Sequence, residues 1–84
     1  MIRTETQSTM RIGEAARVAG ITTQQLQYYL MLGVVEASDR SSGRQRLFDR
    51  RAVERIKLVH LLNRSGYGLR EIREIFMKRA TGRS

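Results

Sequence analysis

Apolar residues recur along this chain in helical registers, broken by glycines and by one polar, turn-rich stretch. Ile12, Ala15, Ala16 and Ala19 stand at i, i+3, i+4 and i+7 and predict a first helix. Its stripe is narrow and made of small side chains, so another helix can approach closely. Arg11 precedes it where Ser or Thr would cap best, and Gly20 follows where a left-handed residue ends a helix. Thr22, with Gln25 three residues on, is a capping-box pattern that starts a second helix, about residues 23–32, closed by Gly33. At about 100° per residue, Leu26, Tyr29 and Leu30 share its inner side, while Gln24, Gln27, Tyr28 and Met31 share the outer side. Helix, short glycine turn, helix is the layout of a helix-turn-helix, although a generic pair of antiparallel helices has the same pattern.

Beyond Gly33, Val34-Val35 reads as a short buried strand, and Ala37 to Gly43 is polar and turn-rich. Arg44 to Phe48 resumes with mixed alternation. Two short strands around Ser41-Ser42-Gly43 make a small hairpin, a wing, with Arg40, Arg44 and Arg46 near its tip. A flexible basic loop is the alternative. Asp49 is a good N-cap for a third helix, about Arg50 to Arg64. Val53, Ile56, Val59 and Leu62 supply its inner face, which Leu58 and Leu61 widen. Gly66 is the expected stop, and Leu69, Ile72, Ile75 and Phe76 make a fourth helix from about Leu69 to Lys78. Residues 1–9 and 79–84 carry no periodicity and read as flexible tails around a domain of residues 10–78; Met10 is an alternative natural start. Leu26, Tyr29, Val53, Ile56 and Phe76 are the expected heart of the core.

The chain has 84 residues, enough for one small domain. With no Cys and a single His it offers neither a disulfide nor a thiolate metal site, and no metal or cofactor is expected. No apolar run has the length of a membrane span and no signal-peptide pattern opens the chain, so a cytoplasmic protein is the expectation. Charge changes the picture more. Residues 1–42 hold four basic and four acidic side chains, and residues 43–84 hold twelve basic and four acidic ones. The whole net charge of +8 therefore lies in the second half. So one-sided a field points to a polyanion, most often nucleic acid, rather than to a merely soluble basic protein. Fourteen of the sixteen cations are Arg, which suits bidentate phosphate contacts. Arg50, Arg51 and Arg55 crowd the start of the third helix, against its dipole unless anions lie nearby; solvated arginines are the plainer reading.

The outer face of the second helix complements this. It carries no charge but holds Gln24 and Gln27 beside Tyr28, with Thr23 at its first turn. Gln makes bidentate contacts to adenine in the major groove, which admits a short helix. A solvated amphipathic helix is the bland alternative. Catalysis is not expected, because the chain lacks paired carboxylates at a plausible site and the volume for a pocket. Its one histidine, His60, reads as a helix-surface or core-edge residue.

Taken in order, Ile12-Gly13-Glu14-Ala15-Ala16, Gly20-Ile21-Thr22, Leu26-Gln27-Tyr28-Tyr29, Gly33, Arg46-Leu47-Phe48 and Gly66-Tyr67-Gly68-Leu69-Arg70-Glu71-Ile72 resemble the DNA-binding domain of MerR-type transcriptional regulators. The resemblance covers about residues 10–77. It implies a mainly α winged helix-turn-helix of about four helices with a small two-stranded wing, binding double-stranded DNA with sequence preference in transcription regulation. The second helix is implied in the major groove and the wing on the backbone or the adjacent groove. Gln24, Gln27, Tyr28, Tyr29 and Arg46 fall where the family places contacts or their supports. Thr23, Gln24, Gln27 and Tyr28 are then the base-reading candidates, with Tyr29 mainly in the core. Arg40, Arg44, Arg46, Arg50 and Arg51 are the phosphate and wing candidates. A prokaryotic, nucleoid-associated setting is implied as well.

Three departures qualify this. The family usually has Arg just before the paired tyrosines and often three residues earlier, where this chain has Gln27 and Gln24. The hairpin around Gly43 is one residue longer than the commonest form. The family's dimerising coiled coil and effector domain have no counterpart in these residues, so no small-molecule effector is expected. A monomer alone is expected, gaining affinity on DNA from neighbouring copies or a protein partner. Two other readings keep the fold: an excisionase-like factor that bends DNA, and an adaptor whose basic face docks an acidic protein.

Overall fold

The computed structural model describes residues 8–40, 43 and 45–82, with side chains through Met77. Its order is β1 (Thr9–Arg11), α1 (Ile12–Ala19), α2 (Thr23–Leu32), β2 (Asp39–Arg40), β3 (Arg46–Asp49), α3 (Arg50–Arg64) and α4 (Leu69–Gly82).

The helix-turn-helix forms as its punctuation dictates. Ala15, Ala16 and Ala19 are buried, and α1 packs on α2 and α3 through them. Gly20 takes a left-handed φ of 84°, and the Ile21 N–H donates to the Ala16 carbonyl at 3.0 Å, closing α1 in a Schellman motif. Two residues later the capping box is complete: Thr22 Oγ1 accepts from the Gln25 N–H at 3.0 Å, and Gln25 Oε1 accepts from the Thr22 N–H at 3.1 Å. Gly33, at φ 81°, ends α2 in the same way as Gly20 ends α1.

Val34 and Val35 are buried, but they sit in a bend rather than a strand. The Val34 N–H is spent on the Tyr29 carbonyl at 3.2 Å, in the motif that terminates α2, so it is not available to a ladder. The hairpin pairs β2 with β3 instead, Asp39 opposite Leu47 and Arg40 opposite Arg46. The sheet also has a third strand that the sequence pattern did not announce. β1 pairs antiparallel with β3, Met10 opposite Phe48, giving the order β1-β3-β2. Three residues are too few for a period of two to show.

Asp49 caps α3 by accepting from the Ala52 N–H at 2.9 Å, while its own N–H donates to Ser38 Oγ at 2.9 Å. Val53, Ile56 and Val59 are buried, but Leu58 and Leu61 are exposed and do not widen the core face. α1, β3 and α4 cover one strip of α3, and these two leucines project from the opposite side. On α4, Ile72 is fully buried, Leu69 and Phe76 are half-buried, and Ile75 is exposed. α4 runs on to Gly82, four residues past the expected end at Lys78. Lys78, Arg79 and Ala80 are good helix formers, and no breaker comes before Gly82. The largest fully buried side chain is Phe48 on the central strand, so the core sits between the sheet and the four helices.

Candidate nucleic-acid interface

α2 separates its two tyrosines cleanly. Tyr29 is 2% exposed and Tyr28 is 50% exposed. The buried Tyr29 hydroxyl lies 3.4 Å from His60 Nδ1, which ties the inner side of α2 to α3 and gives the polar tip a partner. Burial pushes the Tyr29 hydroxyl pKa up. With its inner side anchored, α2 leaves Thr23, Gln24, Gln27 and Tyr28 all in solvent, and Met31 with them. Ten helical residues give a rod of about 15 Å with an uncharged, amide-rich outer face.

Beside this face lies an open cleft of about 620 Å3. It is lined by Arg11, Ile12 and Gly13 at the β1–α1 junction, Gln27 on α2, and Arg40, Gln45 and Arg46 on the wing. Three arginines thus line one cleft with a base-reading candidate. Arg40 and Arg46 face each other across the β2–β3 ladder. Like charges in that register repel, and an anion placed between them reverses the sign. α1 starts in the same cleft without a side-chain cap, and a Cβ added at Gly13 would meet nothing within 4 Å. Its first-turn N–H groups and the positive end of its dipole therefore add to the field that would hold a phosphate.

The structure does not gather all the candidates here. Arg50 and Arg51 are exposed at the first turn of α3 but line a different hollow, with Met10, Val18 and Lys57. Arg44 lies outside the described residues. Conversely, Arg11 is in the cleft, although the sequence marks it only as a poor cap. The signal was present: a cation at a helix N-terminus is unfavourable unless an anion is near, as was argued for Arg50 and Arg51. Asp49 holds the wing against α3. Its carboxyl is kept below the usual carboxylate range chiefly by the Ala52 N–H and then by the Ser38 hydroxyl. Among the described residues there is no cluster of His, Cys, Asp or Glu that could hold a metal ion, and no helix long and apolar enough to cross a membrane.

A model of the MerR HTH family of regulatory proteins matches residues 10–78. The chain belongs to the MerR family. Its winged helix-turn-helix is the DNA-binding domain of that family's transcriptional regulators. The nodulation protein NolA of Bradyrhizobium elkanii is 39% identical over 64 residues, which are 76% of this chain and 29% of NolA. A MerR-family transcriptional regulator from Bacillus cereus superposes with a TM-score of 0.77 at 26% identity, over 86% of this chain and 54% of that one. The fold is shared, with a TM-score of 0.74 at 24% identity, by HiNmlR, a MerR regulator lacking the sensor domain and solved bound to promoter DNA; the match covers 81% of this chain and 54% of that one. The chain therefore spans about half of these structural relatives and less than a third of NolA. Gln24 and Gln27, which stand where the MerR resemblance often and usually places arginine, respectively, are both exposed on α2.

Proposed function

We propose that residues 10–78 read double-stranded DNA with sequence preference and act in transcription regulation without catalysing a reaction. Thr23, Gln24, Gln27 and Tyr28 on α2 meet base edges in the major groove. Arg40, Arg44 and Arg46 on the wing neutralise phosphates, Arg11 and the open α1 N-terminus join them, and Arg50 and Arg51 serve a more distant stretch of backbone. The observation that carries this reading is the single cleft in which Gln27 stands beside Arg11, Arg40 and Arg46. Neutral amides on the helix and cations on the wing divide the work: the first discriminate between bases and the second attract any duplex. The protein acts in the bacterial cytoplasm on the nucleoid. The domain alone is a monomer that gains affinity from neighbouring copies or from a protein partner on the duplex.

Titration of a selected duplex and a random duplex over a range of salt tests this. Arg46→Ala weakens both by similar factors and lowers the salt slope by about 0.9. Gln24→Ala costs about 1–3 kcal/mol on the selected site and little on the random one. A Gln24→Ala protein that keeps its full preference would sink the assignment of α2 as the reading helix.

A further inference from the structure

A second groove, of about 480 Å3, shares no residue with the wing cleft. Its walls are the segment that leaves α2 at Gly33, the first turns of α3 and the middle of α4. Three arginines line it, Arg51, Arg55 and Arg73, together with the acidic residues Glu36 and Asp49. Asp49 is occupied by the Ala52 N–H, and none of the three arginines forms an ion pair with a carboxylate among the described residues. Three cations against two carboxylates leave the groove net positive, and since Asp49 bears on Arg51, the excess rests on Arg55 and Arg73.

Two of these cations are held in place before any ligand arrives. The guanidinium carbon of Arg55 lies 4.0 Å from the centroid of the Phe76 ring. Stacking uses the face of the guanidinium and leaves its in-plane N–H donors free for a carboxylate. Arg73 Nε lies 3.0 Å from where a Cβ on Gly33 would stand, against the C-terminus of α2. That helix has no basic residue in its own last turn, and its negative dipole end favours the cation that α4 brings. Between the charges the lining is mixed, with Ser38 beside apolar Ala37, Ala52 and half-buried Phe76.

We infer that this groove docks an acidic segment of a partner protein, with carboxylates on Arg55 and Arg73 and an apolar side chain beside Phe76. The duplex backbone fits it less well. A phosphodiester chain carries charge but offers nothing to the apolar lining, whereas a peptide of acidic and aliphatic residues matches both. The groove and the wing cleft have no residue in common, and the peptide's proposed contacts, Arg55, Arg73 and Phe76, exclude Arg51, so the peptide and a duplex in the wing cleft can be held together.

Fluorescence anisotropy tests this, with a short labelled peptide of alternating glutamate and leucine, its glutamine counterpart, and duplex DNA as separate ligands. The acidic peptide binds at low salt and the glutamine peptide does not. Arg73→Gln weakens the acidic peptide about tenfold, as does Arg55→Gln, because each removes a charge-assisted bond. Both variants hold DNA within about twofold of the parent. Arg73→Gln leaves the Arg55–Phe76 stack alone and carries the test if Arg55→Gln fails to fold. The inference is overturned if the acidic peptide does not bind, or if it binds Arg73→Gln as tightly as the parent. It is equally overturned if Arg73→Gln loses DNA as Arg46→Ala does, which would make the groove part of the DNA footprint.

Discussion

Phe48→Ala removes the ring under the central strand of the sheet. Phe48 is 0% exposed and faces Met10 across the ladder. A buried phenylalanine hides about 150–250 Å2, so its transfer term is about 4–6 kcal/mol at 25 cal/mol per Å2. Alanine retains part of that, and the cavity left between β3 and the helices brings the expected loss to about 3–5 kcal/mol. A domain of this size has a total stability of about 4–12 kcal/mol. The variant should therefore lose between about a quarter and all of the domain's stability. Phe76 makes the contrast. It is only half-buried and one face is covered by a mobile type of side chain, Arg55, so Phe76→Ala should cost about 1–2 kcal/mol. Urea unfolding followed by circular dichroism, with the slopes compared, reads both, and Tyr28→Ala at about 0.5 kcal/mol or less is the surface control. If Phe76→Ala costs as much as Phe48→Ala, the centre of the core lies against α4 and the ranking by burial is wrong.

Two further outcomes follow from caps. The Asp49 carboxyl is held below its unfolded value of about 3.9, so its contribution is complete above about pH 4 and fades as pH falls through the folded value. Asp49→Asn keeps an N-cap oxygen and should flatten that part of the acid limb in melts against pH; coincident limbs would show that the charge contributes nothing. Gly20 and Gly33 have nearly the same positive φ, but an added Cβ meets open space at Gly20 and Arg73 at Gly33. Gly20→Ala should cost about 1 kcal/mol and Gly33→Ala more, and equal losses in urea titrations would mean that Arg73 moves aside freely.

Much of this was legible from local chemistry. The capping box at Thr22 and Gln25, the glycine stops at positions 20 and 33 and the N-cap at Asp49 each act within four residues, and each appears where the sequence places it. The helical wheel assigned Tyr28 and Tyr29 to opposite sides for the same reason. What the sequence hid depends on partners far along the chain. β1 exists because β3 has a free edge for it, and Thr9, Met10 and Arg11 show no strand pattern of their own. Leu58, Leu61 and Ile75 fit an apolar stripe, but whether a stripe is covered depends on where the neighbouring helices stop. Phe76 has the type and spacing of a core residue, and it lies at the core's edge, half-buried against it and with Arg55 over its ring. Arg11 enters the site through the same β1 pairing that the pattern could not announce.

That pairing bears on why the domain places a large hydrophobic side chain where it does. Two ladders on β3 bring three arginines to the cleft: Arg11 on β1 stands opposite Leu47, and the neighbouring residue on β3, Arg46, stands opposite Arg40 on β2. With strands about 4.8 Å apart, their backbones lie within about 10 Å of one another. Arg40 and Arg46, cross-strand partners on one face, are like charges that disfavour this register, less so as salt rises. A sheet of strands two to four residues long has few backbone bonds to oppose that repulsion. Two residues beyond Arg46 on the same strand, Phe48 anchors the ladder in the core, and Asp49 then fixes its end to α3. Burial of Phe48 on β3 offsets part of that cost in the free domain, and on the proposed reading a phosphate backbone in the cleft would remove it.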